Sequence, residues 1–537
     1  MPTLPGRGNG SGRRALRGGI AVSSRALKPP PEAPSSPTDD GKPGAGGIAT
    51  LVGDSFVYGL GGFLARLAGI FLVPVYLAAA GTEAFGTAEL VVSAVTVSAI
   101  VLRLGIVNSM TRFTLAEGRA ADWAPVLHTI YAVVLTVSTV AAVAGVLARG
   151  ALADVLHVGE GAAAAGVLGV WVTMNYDVLA RLYRIQRRAR AFVSFQLANV
   201  AITIALTLVL VVALDQGAVG LLVGTFAGTG AVFVAMAWAR RSSIGVRRFD
   251  RALAGDLLRY SLPLMPTNVA IWALNFADRL QVQRLAGPLE LGQYAAAAKV
   301  AAGMTLFLGA FQFAWTPFAH ALRGERGDEV AKRTYAQVFT LWAIGMGWAL
   351  AAVSLLAAPY MALTFPAATR DAIGVVPLLA AGVALYGAYL IVNIGVTMTK
   401  RTRMTPVIAF AAGGVNVGLN FWFIPRFGIV GAGITTVIGY ALLAALQWLN
   451  ARRMYPISYE WGRVGRVVAF TAAVLALSAW VVPESGPVGI PVRVALALGY
   501  PAGLVGLGAV KLEELRHVPA LLRSRRRTPP AADEAGE

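Results

Sequence analysis

Asn416-Val-Gly-Leu-Asn420-Phe-Trp-Phe-Ile-Pro425-Arg-Phe-Gly428-Ile-Val-Gly431-Ala-Gly-Ile-Thr-Thr436 lies in the C-terminal third of this 537-residue chain and has a degraded counterpart upstream. Asn199-Val200 opens an apolar run that ends Gly217-Ala-Val-Gly220-Leu-Leu-Val-Gly-Thr225, and the two Gly-x-Val-Gly cores are 211 positions apart. A second pair repeats at nearly the same offset. Ala80-Gly81-Thr-Glu-Ala-Phe85-Gly86 matches Ala286-Gly287-Pro-Leu-Glu-Leu291-Gly292, 206 positions later. Two anchors at similar spacing indicate a duplicated unit of about 200 residues. In a hydrophobic chain, duplication on that scale is how many membrane transporters are built.

Hydrophobic residues make up 57% of the chain and charged residues 14%, with a mean hydropathy of +0.65. A soluble domain has no use for that much apolar surface. Runs long enough to cross a bilayer core of ~30 Å recur from Gly47 to Lys511. They predict spans near 47–79, 86–107, 124–148, 162–182, 191–214, 217–239, 260–285, 292–318, 334–358, 373–398, 404–424, 428–449, 465–482 and 491–510. The expected fold is an all-α polytopic membrane protein of fourteen helices. Two homologous six-helix lobes, 47–240 and 256–450, precede two additional helices in 464–511. Residues 1–46 and 512–537 are poor in apolar side chains and read as disordered cytoplasmic tails.

The net charge of +19 would suit a nucleic-acid binder, but its distribution argues against one. Alternate connections carry the cations: Arg184 to Arg190, Arg240 to Arg251, Arg323 to Arg333, Lys400 to Arg403, Arg452 to Arg463. The intervening connections hold Arg149, Arg370, Arg426 and little else. Lysine and arginine resist translocation, so the rich set is cytoplasmic, and an even number of spans places both termini inside.

Enzyme machinery is missing. The connections on the other side run to about a dozen residues at most, too short for an extramembrane catalytic domain. The four histidines are scattered, no GxxxxGK[ST] string occurs, and there is no cysteine. Zinc, P-loop and thiol chemistry therefore have no ligands here, and no cofactor is expected. The glycines of Gly59-Leu-Gly-Gly62 read as positions where helices approach closely.

Ionisable residues inside the spans are the candidates for function. Arg66 lies near the middle of the first span and Arg103 near the cytoplasmic end of the second. Asp177 and Arg181 stand i, i+4 on the fourth, where an intrahelical ion pair is expected. Asp278 lies eight residues before the Ala286–Gly292 turn and Lys299 seven after it. Both then lie ~11 Å below the turn, and an Asp278–Lys299 pair would leave Arg279 the less compensated cation. Asn416 and Asn420, also i, i+4, read as hydrogen-bonding glue between helices. Trp315-Thr-Pro317 reads as an interface anchor followed by a helix stop.

With these residues in hand, the chain resembles the polysaccharide transporter, or O-antigen flippase-like, family, within the superfamily of multidrug, oligosaccharidyl-lipid and polysaccharide exporters. Four stretches carry the resemblance, over about residues 47–450. The first is Ser55-Phe-Val-Tyr58-Gly59 with Pro74-Val-Tyr76 and the Ala80–Gly86 turn; the second is Leu104-Gly105 to Arg112. The third runs from Tyr260-Ser-Leu-Pro263-Leu-Met-Pro266 through Asp278-Arg279, Gly292-Gln-Tyr294 and Lys299 to Trp315-Thr-Pro317. The fourth is the Asn416–Thr436 string, close to N-x-x-x-N-x-x-x-I-P-x-x-G-x-x-G-A.

The resemblance implies two lobes forming a V around a cationic cavity. It also implies transport of undecaprenyl-diphosphate-linked oligosaccharides across the bacterial plasma membrane for polysaccharide biosynthesis, by alternating access. Arg66, Arg279, Lys299 and Arg103 are the expected substrate-binding cations; Asp278 and Asp177 are the candidates for ion coupling. A lipid-linked oligosaccharide, the bilayer and a polysaccharide polymerase or co-polymerase are the expected partners. The competing readings are a peptidoglycan lipid-precursor flippase, a multidrug/cation antiporter, and a membrane enzyme acting on lipid-linked sugars.

Overall fold

The computed structural model describes residues 68–106, 110, 124–186, 188–241, 244–245, 248–262, 265–399, 401–483 and 486–510. Every regular element among them is helical. The first half holds Ala68–Ala80 (α1), Thr82–Leu102 (α2), Ala124–Leu147 (α3), the short Arg149–Leu156 (α4), Glu160–Ile185 (α5), Ala189–Leu208 (α6) and Gly217–Ala239 (α7). Arg251–Ser261 (α8) links to Met265–Leu285 (α9), Pro288–Ala301 (α10), Met304–Thr364 (α11), Val376–Val392 (α12), Ile394–Thr399 (α13) and Met404–Met454 (α14). Trp461–Val481 (α15) and Gly486–Gly506 (α16) follow. Ten helical stretches among the described residues are long and apolar enough to cross a membrane, and the protein is a multi-pass membrane protein. Arg66, the Ser55–Gly59 and Gly59–Gly62 motifs, Arg112 and both tails lie outside the described residues.

Two of the long helices are hairpins. α14 turns back at Gly428, which adopts φ 55° and ψ −139°, a conformation open to a residue without Cβ. Past the bend Gly431 packs on the helical arm that precedes it. A Cβ there would sit 2.4 Å from the Phe423 carbonyl oxygen. Pro425 occupies the last turn before the bend, so the expected tight hairpin forms where the motif places it. α11 turns at Gly327, with φ 77°. Beyond that bend Tyr335 donates a hydrogen bond to the Ala319 carbonyl, sixteen residues back. In a straight helix those residues would stand ~24 Å apart.

The span expected at 292–318 is divided. α10 ends at Ala301, and tight turns (Gly303 N–H to Val300 O, 3.0 Å; Thr305 N–H to Ala302 O, 2.9 Å) carry the chain into α11. The helix stop expected at Pro317 does not occur, because α11 continues through it to Gly327. Nor does Trp315 anchor at an interface. It is 4% exposed, with Phe311 stacked on it and Tyr335 edge-on. A proline inside a helix removes one backbone donor, and close aromatic packing on both sides outweighs that loss.

The buried side chains group by half, with one exception. One core draws on residues between Ala99 and Leu257 and another on residues between Ala270 and Leu443. A third packs α15 and α16 against the second arm of α11 through Leu355, Val467 and Tyr500. The largest core joins the two halves: Phe85, Leu90 and Val91 of α2 are continuous with Leu291, Tyr294 and Ala295 of α10.

Candidate functional site

The duplicated turn motifs build the place where the halves meet. Gly81 and Gly287 are the N-caps of α2 and α10, at φ 85° and 115°. Both positive values are cheap only for glycine, and Pro288 at the first turn of α10 suits a helix start. Five residues past each cap, the equivalent glycines touch. A Cβ on Gly86 would lie 2.5 Å from Gly292 N and 3.0 Å from Pro288 O; a Cβ on Gly292 would lie 2.0 Å from Thr82 O. Thr82 and Pro288 are equivalent positions too, so the contact is reciprocal, as a local two-fold requires.

Farther along the same two helices, Lys299 Nζ on α10 and Glu89 Oε1 on α2 form an ion pair at 2.7 Å. The Glu89 side chain is 15% exposed and that of Lys299 39%. This corrects the expected Asp278–Lys299 pair. The two residues are at matching depth, but depth is not azimuth. Asp278, 4% exposed, accepts a hydrogen bond from the Tyr294 hydroxyl. Tyr294 precedes Lys299 by five residues, which rotates it about 140° around the helix. Tyr294 therefore faces α9, and Lys299 faces α2.

Arg279 is not the less compensated cation that an Asp278–Lys299 pair would leave. Its Nη1 lies 3.4 Å from Asp278 Oδ1, its backbone N–H donates to the same oxygen at 2.9 Å, and its guanidinium sits 4.9 Å from the Phe276 ring centre. Beside this pair a polar ladder ties α9 to α14. Gln281 donates to Val417 O at 2.9 Å and accepts from Asn420 Nδ2 at 2.7 Å, while Thr435 donates to Asn420 Oδ1. Asn420 is thus the glue its spacing suggested. Asn416, 1% exposed, makes no hydrogen bond through its amide among the described residues.

In the first half Arg103 pairs with Asp177 and donates through Nε to Ala99 O at 2.8 Å. That overturns the intrahelical Asp177–Arg181 pair. The contact of α2 with α5 brings a second cation to Asp177, and the buried Nε of Arg181 is left without a hydrogen bond among the described residues. The described candidates therefore fall into three ion pairs: Arg103 with Asp177, Arg279 with Asp278, Lys299 with Glu89. Sequence reasoning missed Glu89, although a carboxylate inside an apolar span is itself a signal. An apolar cavity of about 300 Å³ is lined by Ile70 of α1, by Val300, the residue that follows Lys299 in the chain, by Gly303 and Phe307, and by Trp348 and Tyr360 of α11.

Residues 51–319 match the family of polysaccharide biosynthesis proteins. The chain belongs to that family. Residues 263–422 also match the MatE family. Among solved structures, the lipid II flippase MurJ in an inward closed conformation superposes with a TM-score of 0.68 at 11% identity, covering 84% of this chain and 98% of that one. A multidrug resistance MATE family transporter of the MOP superfamily, in an inward-facing conformation, gives 0.61 at 16% identity, covering 76% and 99%. The same kind of transporter facing outward gives 0.54 at 18% identity, covering 78% and 96%. No curated protein sequence matches the chain. The fold is that of the MATE transporters and MurJ.

Proposed function

We propose that the protein is a flippase that moves an undecaprenyl-diphosphate-linked oligosaccharide across the bacterial plasma membrane for polysaccharide biosynthesis. The observation that carries this reading is the junction of the halves. There a lysine held by one carboxylate is followed in the chain by Val300, which lines an apolar cavity. A cation next to a hydrocarbon-lined cleft suits an amphiphile with an anionic head and a long apolar tail. Arg66, Arg103 and Arg279 are the further cations of the site; arginine forks suit phosphate oxygens better than a point charge does.

In this reading the two bends in α11 and α14, the first span ending in α1, and the remaining helices make fourteen crossings in two lobes of six plus two. Equal orientation of the lobes relates them by an axis along the membrane normal. The arginine-rich ends face the cytoplasm, with both termini, so the Gly81 and Gly287 turns face outward. Rocking of one lobe on the other exposes the cations to each side in turn. Without a nucleotide motif the drive comes from the membrane potential or an ion gradient, with Asp278 or Asp177 as the coupling carboxylate. One charge moved through 100 mV gains ~2.3 kcal/mol.

The test is complementation of a strain that lacks its own polysaccharide flippase, scored as surface polysaccharide. The wild-type chain restores it, Arg66→Ala abolishes it at unchanged protein level, and Arg66→Lys impairs it. Growth rescue of a strain depleted of its lipid II flippase, without polysaccharide rescue, would move the substrate to the peptidoglycan precursor. Covalent products from purified protein and lipid-linked oligosaccharide would replace the transporter with an enzyme.

A further inference from the structure

We infer that Glu89 and Lys299 form a latch that holds the outward end of the two halves shut, and that the diphosphate of the substrate opens it by taking Lys299 from Glu89. The inference rests on the flippase reading above for the identity of the anion. The latch itself rests on geometry. Among the described residues, Lys299–Glu89 is the only ion pair that joins the first half to the second. The other contacts between the halves here are neutral at one partner or both, among them Arg284 Nη2 to Val155 O at 3.0 Å, Gln283 Nε2 to His157 O at 3.4 Å, the Tyr360 hydroxyl to Ile70 O at 3.0 Å, the van der Waals contact of Gly86 with Gly292 and the apolar packing of α2 on α10.

The two partners are unequally shielded. Glu89 is mostly covered, whereas Lys299 leaves over a third of its side chain open. An incoming anion therefore reaches the ammonium before the pair has broken. A diphosphate carries more charge and more acceptor oxygens than one carboxylate, so it competes well for the lysine, whose four-carbon stem swings freely. The exchange leaves Glu89 beside an anion with no cation of its own. Like charges at short range in a medium of low dielectric repel, and here the repulsion acts between α2 and α10, across the seal. Binding is thereby converted into opening. Lys299 stands two residues before the divided turn at Ala301–Gly303, where α10 can swing without bending the rest of α11.

The chain has no cysteine, so one introduced thiol reports on the seal without background. Thr96 lies on the Gly86–Glu89 face of α2, seven residues past Glu89 and about 10 Å deeper. We would label Thr96→Cys from outside with a membrane-impermeant maleimide, in right-side-out vesicles with undecaprenyl diphosphate or undecaprenol in the bilayer. The expected result is slow labelling that rises severalfold with undecaprenyl diphosphate and not with undecaprenol. Glu89→Gln and Lys299→Gln label severalfold faster without lipid, and the exchange Glu89→Lys with Lys299→Glu restores slow labelling. Slow labelling of Glu89→Gln would overturn the latch. Fast labelling of Glu89→Gln with no lipid response in the parent would overturn the displacement step if the chain restores surface polysaccharide. If it does not restore polysaccharide, the flippase reading has failed and the latch stands as a closure alone.

Discussion

Replacing Gly292 by alanine would put a methyl carbon 2.0 Å from the Thr82 carbonyl oxygen and 2.7 Å from its carbonyl carbon. Neither atom belongs to a side chain that can turn away. A relaxed carbon–oxygen contact needs about 3.3 Å, so α2 and α10 must separate by roughly 1.3 Å along that line. Overpacking of a close contact costs about 1–3 kcal/mol. States in which the two helices have already parted escape that cost. Their population relative to the closed state should rise about 5- to 150-fold, since 1.4 kcal/mol is a factor of ten. Maleimide labelling of Thr96→Cys from outside reads this population. Gly86→Ala probes the same contact from the other side, where the nearest atoms are Gly292 N at 2.5 Å and Cα at 2.8 Å. It should act in the same direction and more weakly. Gly345→Ala is the control, because nothing lies within 4 Å of its added carbon; it should leave labelling unchanged. If Gly292→Ala labels at the rate of Gly345→Ala, the glycine contact is not the seal.

Arg103→Ala and Asp177→Ala should each lower the thermal unfolding midpoint of the purified protein. The double change should cost less than the sum of the two, with a coupling of about 0.5–3 kcal/mol; strict additivity would rule out a working pair. Asn420→Leu strips partners from Gln281 and Thr435 and should destabilise by about 1–3 kcal/mol. An unchanged unfolding midpoint would remove the ladder from the stability account. Reporter fusions at Lys42 and Arg526 should both give cytoplasmic signals, and a periplasmic signal from either breaks the topology.

What could be read from the sequence followed from local physics. The Gly81, Gly287 and Gly428 turns were legible because a backbone at positive φ selects glycine wherever it recurs. The Asn420 ladder was legible because an amide on an apolar helix has few alternatives to bonding its neighbours. Pairings were harder. Asp278 and Lys299 were placed at the right depth, yet five residues of helix rotation between Tyr294 and Lys299 decided which neighbour each would meet. Asp177 lies one turn from Arg181, and only the packing of α2 on α5 shows that Arg103 reaches it. Pro317 read as a stop because the rings that pack on Trp315 two residues before it, Phe311 and Tyr335, come from two different arms of one hairpin.

Duplication explains why the seal lies where it does, and divergence explains why it can open. In the two-lobe reading, halves in one orientation meet around an axis, and at that axis each residue faces its own repeat. Such a contact favours residues that tolerate self-contact at close range. Glycine does so best, and Gly86 faces Gly292. A charged residue at equivalent positions would face its like, and repulsion would part the helices. The ion pair therefore requires broken symmetry, and the sequence shows it: the position equivalent to Glu89 is Ala295, and that equivalent to Lys299 is Ser93. One half carries the acid and the other the base, giving a single pair at one side of the axis. A single pair can be undone by a single competing anion, whereas two symmetric pairs would need two. In the latch reading, the glycine contact common to both repeats sets the geometry of closure, and the one charge on each side makes that closure answer to a ligand.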